Sequence, residues 1–322
     1  MNLYVLTVFL FYWMLSGLAQ ASKFYCPPCP FDCHDKTYNQ PGICPVCNME
    51  LVQRQVSTFD GYEMQNVKIK NGDIELNGAY YTPINHAGGL ASVVIVHGSA
   101  PSTYEDVSYY TSVATNLGMA VLAFDKRGVN ESTGSYERFT VERSEEWFEL
   151  LASDVLVGGR WLRTQPEVDP DKMGLFGGSQ AGWIMPLAAS KTDIFKFIIS
   201  GEGVPVSAGE EDYFSDFTDD GGENGMSIEE ANSRIRSFKG PHGFNPRKIL
   251  TDLKIDMLWF FGTKDPVIPV DASLRTLNEI DNNRFEVEIL PCGDHNFKNV
   301  KTGERYDIAT YIKPWLEKLG IL

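Results

Sequence analysis

Along the chain the spacing of apolar residues changes twice. Residues 3–15, LYVLTVFLFYWML, are an unbroken apolar run, shorter than the ~20 residues that cross a bilayer comfortably. Residues 22–55 carry scattered apolar positions among repeated cysteines and prolines. From Val56 onward the pattern becomes regular. Residues 66–70 and 73–81 read as a β-hairpin turning at Asn71-Gly72. Short apolar runs then predict buried strands at Ser92–Val96, Met119–Phe124, Lys172–Phe176, Phe195–Ile199, Met257–Phe261 and Phe285–Leu290. Helices are predicted between and after them, at about 104–117, at 141–164, from the turn Gly177-Gly178-Ser179 to Lys191, at 271–280 and from Arg305.

Strands that are apolar throughout and alternate with helices imply an α/β fold, a mostly parallel sheet covered by helices on both faces. Functional sites in such sheets lie at the carboxyl ends of the strands. Residues 202–254 break the rhythm with acidic, Gly- and Asp-rich sequence and read as an insertion that lids the site. Three regions are therefore expected: a signal peptide at 1–21, a cysteine-rich ribbon at 22–55 and the α/β domain at 56–322. The signal peptide is read from the early apolar run and from Ala19-Gln20-Ala21, a small-x-small cleavage pattern that implies export. No Lys or Arg precedes the run, so an uncleaved anchor is the alternative. No second apolar segment of membrane length follows, so no stable span is expected after cleavage.

Charge narrows the partners. The 28 Lys+Arg against 43 Asp+Glu give a formal −15, which argues against nucleic acid, because phosphate binding needs clustered basic residues. With 43% hydrophobic and 12% aromatic residues the chain is too apolar for disorder. No repeat of solenoid or propeller type is present.

The ribbon has a chemistry of its own. Cys26-x2-Cys29 and Cys44-x2-Cys47 are two CxxC pairs, with Cys33-His34 between them. Each pair can present two thiolates to one ion, and two such knuckles close a tetrahedral site. Disulfides are the alternative that export would permit, but five clustered cysteines leave one over. Cys33 and His34 read as spare groups or supports. The run Pro41-Gly42-Ile43-Cys44-Pro45-Val46-Cys47-Asn48-Met49-Glu50-Leu51 resembles the small bacterial heavy-metal-binding domain. The resemblance implies a bound heavy-metal ion. Cys29, where that family often has other residues, favours a zinc-type four-sulfur site.

In the large domain, Gly177-Gly178-Ser179-Gln180-Ala181-Gly182 lies between a predicted strand and a predicted helix. A sharp turn there needs small residues two before and two after the serine, and Gly177 and Ala181 meet the need. Such a turn exposes the Ser179 hydroxyl as a nucleophile and sets the Gln180 N–H to stabilise an oxyanion. The base should follow the serine and the acid in the chain. His34, His86 and His97 precede Ser179 and His242 lies in the insertion, which leaves His295, after the last strand. Asp265, after Met257–Phe261, is the matching acid; Asp271 reads as a helix cap and Asp294 abuts the base. Ser99, in His97-Gly98-Ser99 at the end of Ser92–Val96, is the expected second oxyanion N–H. His97 reads as structural and Arg127 as a brace between loops.

The strings VIVHGSAP, FDKRGVNESTG, GGSQAGW, GTKDPVIP and GDHNF resemble the α/β-hydrolase superfamily. They are closest to bacterial esterases, acyl thioesterases and relatives of the prolyl-oligopeptidase peptidases. The resemblance implies acyl transfer through a covalent seryl intermediate with no organic cofactor, and it does not identify the acyl group. Together with the expected signal peptide, the reading is an exported serine hydrolase that cleaves carboxylic esters of small-molecule acyl substrates. A peptidase or acyl thioesterase of the same fold is the nearest alternative. A metal-handling or binding protein with an inactive hydrolase domain is the alternative of another class.

Overall fold

The computed structural model describes residues 24–25, 37–38, 40–53, 56–59 and 61–322. The expected signal peptide lies outside the described residues, as do Cys26, Cys29, Cys33 and His34. Contacts divide the chain into two units, Met1–Gln55 and Val56–Leu322. In the first, β1 (Phe24–Tyr25) pairs antiparallel with both β2 (Thr37–Tyr38) and β3 (Val52–Gln53). The buried apolar residues described there are Cys44 and Leu51, with Phe24, Tyr38 and Cys47 packed partly against them.

The second unit is built on a nine-stranded sheet. Its strands are β4 (Val56–Phe59), β5 (Tyr62–Asn71), β6 (Ile74–Pro83), β7 (Leu90–Val96), β8 (Ala120–Phe124), β9 (Val168–Gly178), β10 (Phe197–Gly201), β11 (Asp256–Gly262) and β12 (Phe285–Leu290). Spatial order is β12-β11-β10-β9-β7-β8-β6-β5-β4. From β12 to β8 every pairing is parallel; β6, β5 and β4 continue the sheet antiparallel. The helices are α1 (Ser108–Asn116), α2 (Ser144–Arg163), α3 (Ala181–Ala189), α4 (Ala208–Thr218), α5 (Ile228–Ile235), α6 (Arg247–Asp252), α7 (Val270–Ile280) and α8 (Ala309–Lys318).

The apolar strands explain why both faces are covered. Along β11, Met257, Trp259 and Phe261 enter one core, shared with residues of α2, α3 and α7. Leu258 and Phe260 enter the other, shared with α1 and α8. β7 and β8 divide their residues in the same alternating way, as period-two side chains must. The chain leaves β7 for β8 on one side and returns to β9 on the other. That reversal opens the crevice at the carboxyl ends of β7 and β9 where α/β sheets hold ligands.

Several boundaries differ from the sequence reading. The hairpin is longer, and its two-residue loop is Gly72-Asp73, because Asn71 still pairs with Ile74. α1 starts later than expected, because Thr103 N–H donates to Asp106 and Tyr104 N–H to Asp125, outside any helical ladder. β9 begins at Val168, where its polar Asp169-Pro170-Asp171 start hid the pairing. Within the expected insertion, α6 packs against α3 and α7, and its Leu250 sits in the main core. It is the crossover helix into β11, so the departure from the alternation ends before it. Phe214 and Phe244 are core residues as well. Among the described residues no helix is long and apolar enough to cross a membrane.

Candidate active site

Ser179 follows the carboxyl end of β9 and immediately precedes Gln180, the N-cap of α3. Its φ of +57° lies in the left-handed region, which costs a non-glycine residue about 1–3 kcal/mol and persists only where neighbours impose it. Here the imposition is visible. Ser179 N–H is shared between the carbonyls of Gly201 and Glu202, each at 3.1 Å. A Cβ on Gly177 would stand 2.2 Å from the Val96 carbonyl oxygen, and one on Gly178 would meet the Tyr110 hydroxyl at 1.9 Å. The double glycine thus lets β9 run tightly between its neighbours and turn sharply into α3.

The loops after β11 and β12 bring the acid and the histidine together. Asp265 is buried, and its Oδ1 accepts the N–H groups of Val267 at 2.8 Å and Ile268 at 3.0 Å. Its Oδ2 lies 2.8 Å from His295 Nδ1. With the carboxylate as acceptor, the proton sits on Nδ1 and Nε2 is left free to act as a base. Burial alone would lower the His295 pKa, but the charge and hydrogen bond of Asp265, with Asp220 and Asp294 behind them, outweigh it and raise it above the ordinary value. No hydrogen bond joins Ser179 Oγ to His295 among the described residues; such bonds commonly tighten only with substrate in place.

The discarded acids have other work. Asp294 Oδ1 accepts N–H from Asn296 and Lys298, both at 2.8 Å, and so shapes the loop that presents His295. Asp271 lies in the first turn of α7 without a capping hydrogen bond, so it is not the helix cap that the sequence suggested. Its charge still complements the helix dipole.

Of the two expected oxyanion donors, Ser99 follows Gly98 in the chain and Gln180 directly follows the serine. Gly98 lies beside it: a Cβ there would be 3.5 Å from Ser179 Cβ and 3.9 Å from Oγ. Ser99 is exposed and Gln180 is buried. Among the described residues neither backbone N–H donates to a protein acceptor. His97 is buried and neutral, its pKa lowered to about 3 chiefly by burial and then by Lys126. Arg127 braces its loop to a helix and not to another loop: Nε and a terminal nitrogen each lie 2.7 Å from the Asp154 carboxylate on α2.

Sequence reasoning passed over three groups. Glu202 follows β10, is almost wholly buried, has φ of +49° and accepts the Gly262 N–H at 3.0 Å. Burial first, and Asp265 second, raise its pKa well above the ordinary value. Its place at the carboxyl end of a predicted central strand was the available signal. Glu211 on α4 is likewise raised, by burial and then by Asp212, Asp220 and Asp265. The 3-10 turn after α4 rests on the acid loop, where Thr218 Oγ1 donates to the Pro266 carbonyl. The third group is Lys126, 2% exposed, with its pKa lowered to about 7 by burial. Tyr213, Phe217 and Phe238 form an aromatic group on the insertion, with Tyr213 5.3 Å from Phe238 and 4.6 Å from Phe217 between ring centroids.

In the N-terminal unit, Cys44 is buried and Cys47 half-buried. Burial pushes the Cys44 thiol up, but hydrogen bonds from the Cys47 and Val46 amides, from Tyr38 and from Cys47 outweigh it and bring it down to about 6. Backbone amides aimed at a thiolate are what a metal knuckle needs, so the donor set fits a thiolate-bound ion. Among the described residues no group of three or more His, Cys, Asp or Glu side chains could hold a metal; the other knuckle lies outside them.

A nucleophile turn after the central parallel strand β9, with an Asp–His pair on the loops after β11 and β12, defines a serine hydrolase of the α/β-hydrolase fold. Residues 105–320, the larger part of the chain, match the model of the prolyl oligopeptidase family, and the chain belongs to that family. Residues 23–54 match the heavy metal binding domain. An esterase of Pyrococcus furiosus is similar in structure, with 18% identity, 82% of this chain and 96% of that one covered, and a TM-score of 0.58. An acetyl xylan esterase from Paenibacillus has 16% identity, coverage of 83% and 87%, and a TM-score of 0.56. The acylaminoacyl peptidase of Pyrococcus horikoshii has 20% identity, covers 83% of this chain and 44% of its own, with a TM-score of 0.57. Two curated proteins of Mycobacterium tuberculosis, provisionally named phosphoribosyl transferases, are 30% identical over 148 residues. That match spans 45% of this chain and 31% of theirs.

Proposed function

We propose that this protein is an exported carboxylic ester hydrolase that works through an acyl-enzyme on Ser179. The observation that carries the reading is the strained Ser179 turn, with φ of +57°, at the same end of the parallel strands as the loops that hold His295 Nδ1 2.8 Å from the buried Asp265. Ser179 Oγ attacks the ester carbonyl while His295 Nε2 takes its proton. The carbonyl oxygen, now an oxyanion, receives the Gln180 and Ser99 amides. The tetrahedral intermediate collapses, His295 returns the proton to the leaving alcohol, and water repeats the sequence to release the acid. Asp265 fixes the tautomer and stabilises the imidazolium without itself taking the proton.

Asp220 and Asp294 lie behind this pair and oppose an anionic substrate, which favours neutral or cationic acyl groups. The family and the acylaminoacyl peptidase likeness favour a second reading, an acyl-amide or peptide substrate. In the ribbon, Cys26, Cys29, Cys44 and Cys47 would hold a zinc-type ion, which would link two knuckles and supply no catalytic step.

The test is a fluorophosphonate probe on the full-length protein, followed by p-nitrophenyl esters of graded chain length beside aminoacyl nitroanilides. The reading expects labelling at Ser179 that is absent in Ser179→Ala, with esters turned over faster than anilides. Faster anilide cleavage would make it a peptidase. An unlabelled protein would return the fold to a binding role.

A further inference from the structure

We infer that Lys126, with Tyr136, is a positioning residue that fixes the direction of the Ser99 N–H and so preorganises one half of the oxyanion hole. This rests on the acyl-transfer reading above. It adds the part of the molecule that aims a donor the sequence could only name.

The argument begins with topology. β7 and β8 are parallel neighbours, so the loops at their carboxyl ends, 97–104 and 125–136, lie side by side. From the second loop Lys126 Nζ reaches back and donates to the carbonyl of Gly98 at 2.5 Å and to that of Ala100 at 2.9 Å. Tyr136, whose ring centroid is 5.5 Å from the same Nζ, donates its hydroxyl to the intervening Ser99 carbonyl at 2.7 Å. Three successive carbonyls are thus held by two side chains from one neighbouring segment. Lys126 N–H also donates to the Ser102 carbonyl at 3.0 Å, which fixes the base of the side chain against the same loop.

The consequence follows from peptide geometry. The Gly98 carbonyl and the Ser99 N–H belong to one planar trans unit and point in opposite directions. Holding the carbonyl oxygen therefore holds the N–H. Gly98 is also the residue beside Ser179, with a Cβ position 3.9 Å from Oγ. A short, glycine-containing loop left untied would let this peptide rotate, and an oxyanion donor stabilises the transition state only if it is aimed in advance. An ordinary surface lysine would not suit the task. Lys126 is 2% exposed, and burial brings its pKa down to about 7. Whether it carries three protons or two, the amine has donors for both carbonyls. Its neighbour Arg127 makes the ion pair to α2, which leaves Lys126 to the loop alone.

A residue that merely stabilised the loop would change melting temperature and substrate binding. A positioning residue changes turnover. The test uses the full chain with Lys126→Met and Tyr136→Phe, a p-nitrophenyl ester, a trifluoromethyl ketone that forms a tetrahedral adduct, and the fluorophosphonate probe. Removing a whole oxyanion donor costs about 10²–10³ in kcat, and misdirecting one should cost less. Lys126→Met is expected to lose about 10–100-fold in kcat with KM little changed, and to bind the ketone more weakly in the same ratio. Tyr136→Phe should show the same pattern at about 3–10-fold. If Lys126→Met does not fold, Tyr136→Phe decides alone. Unchanged kcat in the folded variants, or a loss confined to KM and melting temperature, overturns the assignment while wild-type labelling at Ser179 keeps the acyl-transfer reading. Absence of wild-type labelling overturns both.

Discussion

The two units of this chain obtain their order from different sources, and each source sets what its unit can do. The hydrolase body buries two extended cores, one on each face of the sheet, and uses that rigidity to impose strain. Ser179 and Glu202 both keep positive φ, and the Ser179 amide is held by the Gly201 and Glu202 carbonyls. The ribbon offers Cys44 and Leu51 as its described buried apolar residues. A segment this short needs a staple, and its cysteines supply one if an ion joins them. Packing can aim a nucleophile at a substrate. A closed thiolate site can hold a short segment together, but leaves no coordination position for chemistry.

The sharpest way to break the comparison is to remove the nucleophile from the body. Ser179→Ala should lower ester turnover by several orders of magnitude, on the order of 10⁶ if it behaves as other triads do. Far-ultraviolet circular dichroism and melting temperature should hold, because a strained side chain is being simplified. Ester hydrolysis near the wild-type rate would mean that the chemistry belongs elsewhere in the chain.

Much of this site was legible in the sequence because the features that place it are coarse. Strands such as Ser92–Val96 and Met257–Phe261 are apolar on both faces, and no other element of that length reads so clearly. Once they are in order, the turn at Ser179, Asp265 and His295 follow from position along the chain. What was hidden depends on which strands become neighbours. The Lys126 contacts with Gly98 and Ala100 exist because β8 lies beside β7. The burial of Glu202 exists because β10 lies between β9 and β11. No local pattern encodes those adjacencies. The start of β9 was missed for the opposite reason, since Asp169 and Asp171 are polar where the strand is not yet in the core.

A second way to sharpen the contrast is pH. His295 must be neutral to accept the serine proton, and its pKa is raised above the ordinary histidine value. kcat/KM should therefore climb as pH rises through an apparent pKa higher than that of a free imidazole, about 6.5. Removing the Asp265 carboxylate, as in Asp265→Asn, should move that inflection down. A rate that is flat between pH 5 and 8 would name another base, and an inflection below the free value would remove Asp265 as the dominant neighbour.

Inside the body, the least comfortable group is Glu202. Its Oε1 is buried without a hydrogen-bond partner, and burial and Asp265 raise its pKa well above the ordinary value. An acid whose folded pKa is raised costs nothing below its unfolded value, where both states are protonated. As pH rises above that value the unfolded chain gives up the proton and the folded chain does not, so stability falls. Glu202→Gln keeps the acceptor for Gly262 N–H and removes the titration. It should melt higher than wild type at pH 7, by roughly 2–4 °C for each kcal/mol gained, with the gain vanishing in acid. A gain that persists unchanged at pH 3, or a loss at pH 7, would show that Glu202 is ionised in the fold.

The smallest expected effect on catalysis comes from the ribbon, and it tests the comparison itself. The triad candidates Ser179, Asp265 and His295 all lie in the unit Val56–Leu322, whereas the expected thiolate ligands Cys26, Cys29, Cys44 and Cys47 all lie in Met1–Gln55. Thiolates bind metal only when deprotonated, and the Cys44 thiol is brought down to about 6. Zinc should thus bind at pH 7 and be released by chelator or by acid, with loss of order in the ribbon. Elemental analysis of the full chain should find bound metal, and the double variant Cys44→Ser/Cys47→Ser should lose it. Ester hydrolysis by the stripped protein and by the variant should stay close to wild type, because a four-cysteine site closes its tetrahedron and presents no water to a substrate. Equal metal in variant and wild type would remove these cysteines as ligands. Loss of activity in step with loss of metal would mean that the body depends on the ribbon after all, and that its packing alone does not hold the site.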